Sequence, residues 1–452
     1  MRWLSRTILS ILVVIAWGID APSQTTVTFD NAQFMVNGRP FFPIGWYGGQ
    51  RPAALDSLQK SGVNVILSYW NGVIDAYSSG PKRYDISSYH GAVRAFLDSA
   101  WSHRIRLIIN IPRTDASLMR FSLSKILSNV DSIAGDPYII SHPALLGWYV
   151  YDEPEIEPPP LPAITISQMH SVYAQIKKHD SSHPVFVTLG APMAEEFNSR
   201  YPYPSNSASP YRDNLFYDVL MVDHYPFYVD EAPPAGRLHY TDTWTRRVSK
   251  RFWEERGYTS PGSLMLVAQG SGPNQNDSTL RYPTRVELIN QFMSTVYRMQ
   301  HGTHSNLGGV LYFQWDGWYG HNNARDSVLA FIRYITGNQL DAVIWQVNLN
   351  SSCRASDSLL RTMLRYYNGS YYVFAFNDTP NSKPGVAINV RLERAENVTC
   401  RELTLPYGTS VQKLLVSAGN NSYRIQDSFG PRESRVYRID LLSSNQTPAV
   451  TH

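Results

Sequence analysis

Two cysteines in 452 residues are too few to staple a fold, and the spacing of Cys353 and Cys400 matches no metal-binding motif. Charge is nearly balanced, with 40 Lys and Arg against 37 Asp and Glu and a net charge of only +3. No basic block stands anywhere in the chain, so nucleic acid is not an expected partner. After the first twenty-odd residues no apolar run is long enough to span a bilayer at 1.5 Å per residue. No glycine-rich phosphate loop follows the first long apolar strand, which counts against a doubly wound nucleotide-binding sheet, and no cofactor is expected.

What the chain does carry begins with a leader. Arg2 and Arg6 form a charged segment, Thr7 to Trp17 an apolar one, and Ala21-Pro22-Ser23 a small-x-small cleavage site. Residues 1–23 therefore read as a signal peptide, with a secreted or periplasmic mature chain starting near Gln24 and no membrane association after its removal. Export makes Cys353 and Cys400 either a disulfide or two free buried thiols. Sequons occur, for example at Asn368 and Asn397, although a chain rich in Asn, Ser and Thr produces them by chance.

Aromatic residues are abundant: 29 Tyr, 17 Phe and 11 Trp, several of them where strands should end. Short alternating strands at 27–29 and 34–36, with a hairpin turn signal at Asn37-Gly38 after them, suggest a small β cap. A repeating beat follows. Apolar strands are expected at Phe41–Tyr47, Asn64–Trp70, Arg106–Pro112, Leu145–Tyr151, Pro184–Ala191, Val219–Phe227, Leu264–Gln269 and Gly309–Asp316. Helical spacing recurs between them, as in Val93, Phe96, Leu97 and Ala100. Eight such units over residues 24–340 predict an α/β fold, a (β/α)8 TIM barrel. Residues 341–445 change to short strands with turn-rich separations, a smaller antiparallel β-sandwich, and 446–452 form a tail.

The stretch around which the barrel is organised is Leu145–Glu155, LLGWYVYDEPE. Its apolar run reads as a strand buried on both faces, and Pro154 ends it with Asp152 and Glu153 at the carboxyl end, where barrels do chemistry. Asp223 and Asp316 end the sixth and eighth strands in the same way. A carboxylic acid can protonate a poor leaving group when burial or a neighbouring negative charge holds its proton, and an ionised Asp152 would supply such a charge to Glu153. Trp46, Trp70, Trp315 and Tyr225 are candidate flat surfaces for a saccharide, and Arg113 a candidate partner for a hydroxyl or carboxylate.

From the first-strand segment VNGRPFFPIGWYGG through GGVLYFQWDGW, the barrel resembles the clan A type of glycoside hydrolase. GWYVYDEPE is similar to that clan's fourth-strand Asn-Glu-Pro motif, and VDHYPFY to its His-x-Tyr element. The resemblance implies that Glu153 is the general acid/base, that Asp152 replaces an asparagine touching the sugar, that Tyr225 matches the element's tyrosine, and that Trp315 is a platform under the sugar. It breaks at the end of strand seven, where the clan's nucleophilic glutamate is Gln269. Three readings follow: Asp223 or Asp316 serves as the second carboxylate; a substrate acetamido group attacks, oriented by Asp152 as in substrate-assisted hexosaminidases; or the barrel binds carbohydrate without turnover. The expected partner is a carbohydrate in each case, and oligomeric state is open.

Overall fold

The computed structural model describes residues 24–30, 32–78, 85–112, 122–154, 165–190, 215–227, 230, 262–270, 280–301, 304–305, 307–313, 315, 323–393, 397–405 and 407–442. The 1–23 leader and the 446–452 tail fall outside them.

Eight parallel strands close a barrel: β1 (Ile44–Tyr47), β2 (Val65–Leu67), β3 (Arg106–Asn110), β4 (Leu145–Asp152), β5 (Val185–Gly190), β6 (Val219–His224), β7 (Ser263–Gln269) and β8 (Leu307–Phe313). They run around the ring in chain order, with β8 against β1 and β6 against β7. The expected barrel is thus present, each strand lying within its predicted segment or overlapping it. The second strand is the one that differs most. It stops at Leu67, and Trp70 instead opens a helix, Trp70–Tyr77.

Side-chain alternation explains why these runs are almost wholly apolar. One set, including Val65, Leu67, Ile108, Leu146, Tyr149, Phe186, Met221, Val267 and Leu311, fills the ring. The other set, including Ile66, Ile109, Trp148, Val187, Val222 and Leu266, packs on the surrounding helices. Those helices start at side-chain caps: Asp85 accepts from Ser88 N, and Thr165 with Gln168 and Thr284 with Glu287 form capping boxes. The N-terminal strands Val27–Asp30, Gln33–Val36 and Arg39–Phe41 close the amino end of the ring, where Phe34 stacks on Phe186 with centroids 6.0 Å apart.

The C-terminal strands are β9 (Cys353–Ala355), β10 (Leu360–Tyr367), β11 (Ser370–Asn377), β12 (Lys383–Arg391), β13 (Val398–Thr404), β14 (Thr409–Lys413), β15 (Leu415–Gly419), β16 (Ser422–Phe429) and β17 (Ser434–Leu441). They make two antiparallel sheets, ordered β9-β12-β16-β15 and β10-β11-β17-β13-β14. Leu364, Val373, Val390, Ile425 and Ile439 pack between them. The opposite face of the five-stranded sheet, with Met363, Phe374, Phe376 and Val436, joins the barrel's outer core. Tyr334 clamps that seam by donating to the Leu403 carbonyl at 3.0 Å.

The disulfide alternative is not the one realised. Cys353 and Cys400 are free and buried on different sheets, and burial pushes each thiol up to about 12. Their contribution is to the sandwich core, as small apolar side chains.

Candidate active site

The carboxyl end of β4 departs from regular alternation. Tyr149 pairs with Phe186 and Tyr151 with Val187, so Val150 is an extra residue and forms a bulge. Strict alternation from Tyr149 would turn Tyr151 and Glu153 inward. The bulge instead sends Tyr151 into the outer core and aligns Asp152 with Thr188. Asp152 then meets the ring-filling side chains. Tyr149 OH donates to its Oδ1 at 2.6 Å and Tyr69 OH to its Oδ2 at 3.2 Å.

Glu153 follows in the left-handed region at φ +43°, where a side chain with a Cβ is strained by about 1–3 kcal/mol. What holds it is the bond from its N–H to the Thr188 carbonyl at 3.0 Å, with buried Pro154 behind it. Such strain concentrates where a side chain must be aimed. The aim here is toward the mouth of the ring: Glu153 is half-buried, and its charge acts on the Tyr225 phenol.

On the facing side, Asp223 at the end of β6 is 7% exposed and accepts from Tyr225 OH at 2.7 Å. Burial and the nearby Asp152 and Asp223 charges raise the Tyr47 phenol well above its ordinary value, and burial with Asp223 and Glu153 does the same to Tyr225. Burial and Asp152 likewise raise Tyr69 and Tyr149. These four phenols therefore stay protonated at neutral pH and act as hydrogen-bond donors, not as phenolate nucleophiles. The three carboxylates Asp152, Glu153 and Asp223 thus share one ring of tyrosines at the barrel mouth.

Other expected site residues lie elsewhere. Gln269 has no exposed surface, and its amide is occupied by backbone: Phe227 N donates to Oε1 at 2.9 Å, while Nε2 donates to the carbonyls of Arg281 at 2.7 Å and Phe227 at 3.3 Å. It staples two chain segments and offers nothing to a substrate. Trp46 is fully buried in the outer core, because its position on β1 faces the helices and Tyr47 faces the ring. Trp315 is 6% exposed, edge-on to Trp46 at 5.4 Å and covered by the Arg325 guanidinium 4.2 Å from its ring centre. It is a core residue in this arrangement and not an open platform. Arg113, Asp316 and the Trp70 side chain lie outside the described residues.

The half-buried rings at the mouth are instead Tyr69, Tyr225 and Phe313, the last stacked on Tyr225 with centroids 5.5 Å apart. Sequence reasoning missed Tyr47, Tyr69, Tyr149, Thr188 and Phe313. For Tyr47 the signal was parity along β1, since it is the neighbour of the tryptophan chosen; for Phe313 it was where β8 stops, since Trp315 lies two positions past its end. For Tyr149 and Thr188 no local signal exists, because the Val150 bulge sets their partners. Among the described residues no group of three or more His, Cys, Asp or Glu side chains is placed to hold a metal ion, and no helix is long and apolar enough to cross a membrane.

No protein-family model matches the chain, and no curated protein matches it. Solved structures do. A glycoside hydrolase family 5 protein from Bacteroides vulgatus ATCC 8482 superposes with a TM-score of 0.58 at 13% identity, covering 95% of this chain and 96% of that one. A GH30 endoxylanase from Clostridium papyrosolvens C71 gives 0.50 at 11% identity, covering 92% and 98%. At such identities the likeness is one of fold, and it extends over the barrel and the C-terminal sheets together.

Proposed function

We propose that this chain is a glycoside hydrolase, acting after export on an oligo- or polysaccharide, with Glu153 as general acid/base and Asp223 as the second carboxylate. The observation that carries the reading is that Glu153 and Asp223 both act on the Tyr225 phenol, Asp223 by accepting its hydrogen bond at 2.7 Å and Glu153 through its charge, on the carboxyl end of a closed barrel. Tyr69, Tyr225 and Phe313 supply half-buried rings beside them, of the kind on which a sugar rests.

In the first step the Glu153 proton passes to the glycosidic oxygen as the bond to the anomeric carbon breaks. Asp223 either attacks that carbon, giving a glycosyl ester that water then hydrolyses with Glu153 as base, or takes the proton of a water that attacks directly. A carboxylate separation of about 5–5.5 Å goes with the first course and about 6.5–9.5 Å with the second. Both consume one water; the first course returns the proton to Glu153, and in the second Asp223 releases its proton to solvent while Glu153 regains one from solvent. Gln269 is outside either course.

The test is turnover on a panel of aryl glycosides of both anomers and on soluble polysaccharides, for wild type, Glu153→Gln and Asp223→Asn. Release by wild type that is lost in both variants supports the proposal. Loss in Glu153→Gln with Asp223→Asn still active on 2-acetamido sugars alone would transfer the second role to the substrate. Saccharide binding without release by any of the three would overturn hydrolysis in favour of a binding barrel.

A further inference from the structure

Resting on that reading of the site, we infer that Thr188 is a positioning residue that holds both members of the Asp152–Glu153 pair, each by a different group. Its carbonyl accepts from Glu153 N–H at 3.0 Å and so fixes the positive-φ backbone that aims the acid. Its hydroxyl, fully buried, sits between two phenols, 2.5 Å from Tyr47 Oη and 3.0 Å from Tyr149 Oη.

The link of this chain to Asp152 follows from proton counting. Tyr149 has one hydroxyl proton, and the carboxylate of Asp152 at 2.6 Å takes it, since a charged acceptor makes the stronger bond. The same Tyr149 hydroxyl also points at Thr188 Oγ1 at 3.0 Å, and Thr188 Oγ1 lies 2.5 Å from Tyr47 Oη, where either oxygen can donate. Tyr47, Thr188 and Tyr149 thus form one buried hydroxyl chain that ends on Asp152, and in a low-dielectric interior such a chain strengthens each link. Thr188 is the middle member and the one that reaches both acids. Its place opposite Asp152 in the β4–β5 register is created by the Val150 bulge, and without that extra residue it would not pair there.

Valine at 188 keeps the volume and the carbonyl but deletes the hydroxyl, while serine keeps the hydroxyl. The experiment compares wild type, Thr188→Val and Thr188→Ser in kcat, KM and the pH profile of kcat/KM on an aryl glycoside that wild type hydrolyses. A 13C-carboxyl spectrum of labelled Asp152 is recorded without substrate. Thr188→Val should lower kcat about tenfold, the effect of one lost hydrogen bond, with KM within about twofold of wild type. It should also move the acidic limb of the profile and shift the Asp152 carboxyl signal, with Thr188→Ser close to wild type in each. A folded Thr188→Val with unchanged kinetics, pH profile and carboxyl signal would overturn the inference, and so would equal losses in valine and serine. If wild type turns over no glycoside, the proposed function falls separately, and the carboxyl signal still decides whether Thr188 governs Asp152.

Discussion

The side-chain amide of Gln269 pairs with the backbone of Phe227 at both ends, accepting from its N–H at 2.9 Å and donating to its carbonyl at 3.3 Å. A third bond runs from Nε2 to the Arg281 carbonyl at 2.7 Å. Glutamine is chemically required here, because the site asks for one acceptor and two donors on the same planar group.

Gln269→Glu consequently creates no nucleophile. An ionised glutamate would direct an acceptor oxygen at the two carbonyls in place of Nε2, losing both bonds at about 1–3 kcal/mol in all, although the Phe227 carbonyl keeps the Arg281 N–H at 2.9 Å. The expected outcome is a lower melting temperature and no gain in turnover, measured by thermal unfolding and by the aryl glycoside assay. Raised activity with unchanged stability would contradict the buried staple.

Phe313 and Trp315 should separate cleanly. Phe313→Ala removes a half-buried ring beside Tyr225 and is expected to raise KM about tenfold, equivalent to about 1.4 kcal/mol, with a smaller effect on folding. Trp315→Ala empties a site packed against Trp46 and Arg325 and should cost about 3–5 kcal/mol of stability. Denaturant unfolding and saturation kinetics on the two variants check the pair. A KM effect confined to Trp315→Ala would reverse the assignment.

The tyrosine ring makes stability fall in alkali. Burial, with Asp152 and Asp223 adding to it, raises the Tyr47 phenol well above its ordinary value, and burial with Asp152 raises Tyr149. Above the unfolded value of about pH 10 the unfolded chain releases these protons and the folded chain retains them, so unfolding is favoured as pH rises. Stability from this source is intact below about pH 10. Above it, each of these two fully buried phenols costs about 1.4 kcal/mol per pH unit until its folded value is reached. Melting temperatures between pH 8 and 12 should be flat and then drop, and Tyr47→Phe should soften the drop. An equal drop in that variant would count against the assignment.

Cys353 and Cys400, with thiols pushed up to about 12, should not react with a thiol reagent at pH 8 while the protein is folded. Both should titrate after unfolding in the absence of reductant, and reductant should leave the melting curve unchanged. Failure to titrate two thiols in the unfolded chain would indicate a bridge.

Much of this molecule was legible in order along the chain. Apolar runs such as LLGWYVY and LMLVA could only be strands covered on both sides, and eight of them alternating with helical periods leave a closed parallel barrel as the economical way to bury them. The carboxyl-end placement of Asp152, Glu153 and Asp223 followed from where those runs stop. Which of the neighbouring rings face a ligand did not follow. Alternation identifies two faces but not which is the interior, so Trp46 was chosen over Tyr47; Trp315 was chosen over Phe313 because the end of the strand, at Phe313, was not legible.

The tertiary structure alone decided the rest, because each remaining feature depends on a partner distant in sequence. One extra residue at Val150 turns Asp152 toward Thr188, 36 positions away in chain order, and the backbone of Phe227 and Arg281 consumes the Gln269 amide. Two sheets that share one core keep Cys353 and Cys400 as separate thiols. Local composition set the elements and their order, since periodicity is a property of neighbouring residues. The aim of each polar group was set by long-range register and hydrogen bonding, which no stretch of sequence contains by itself.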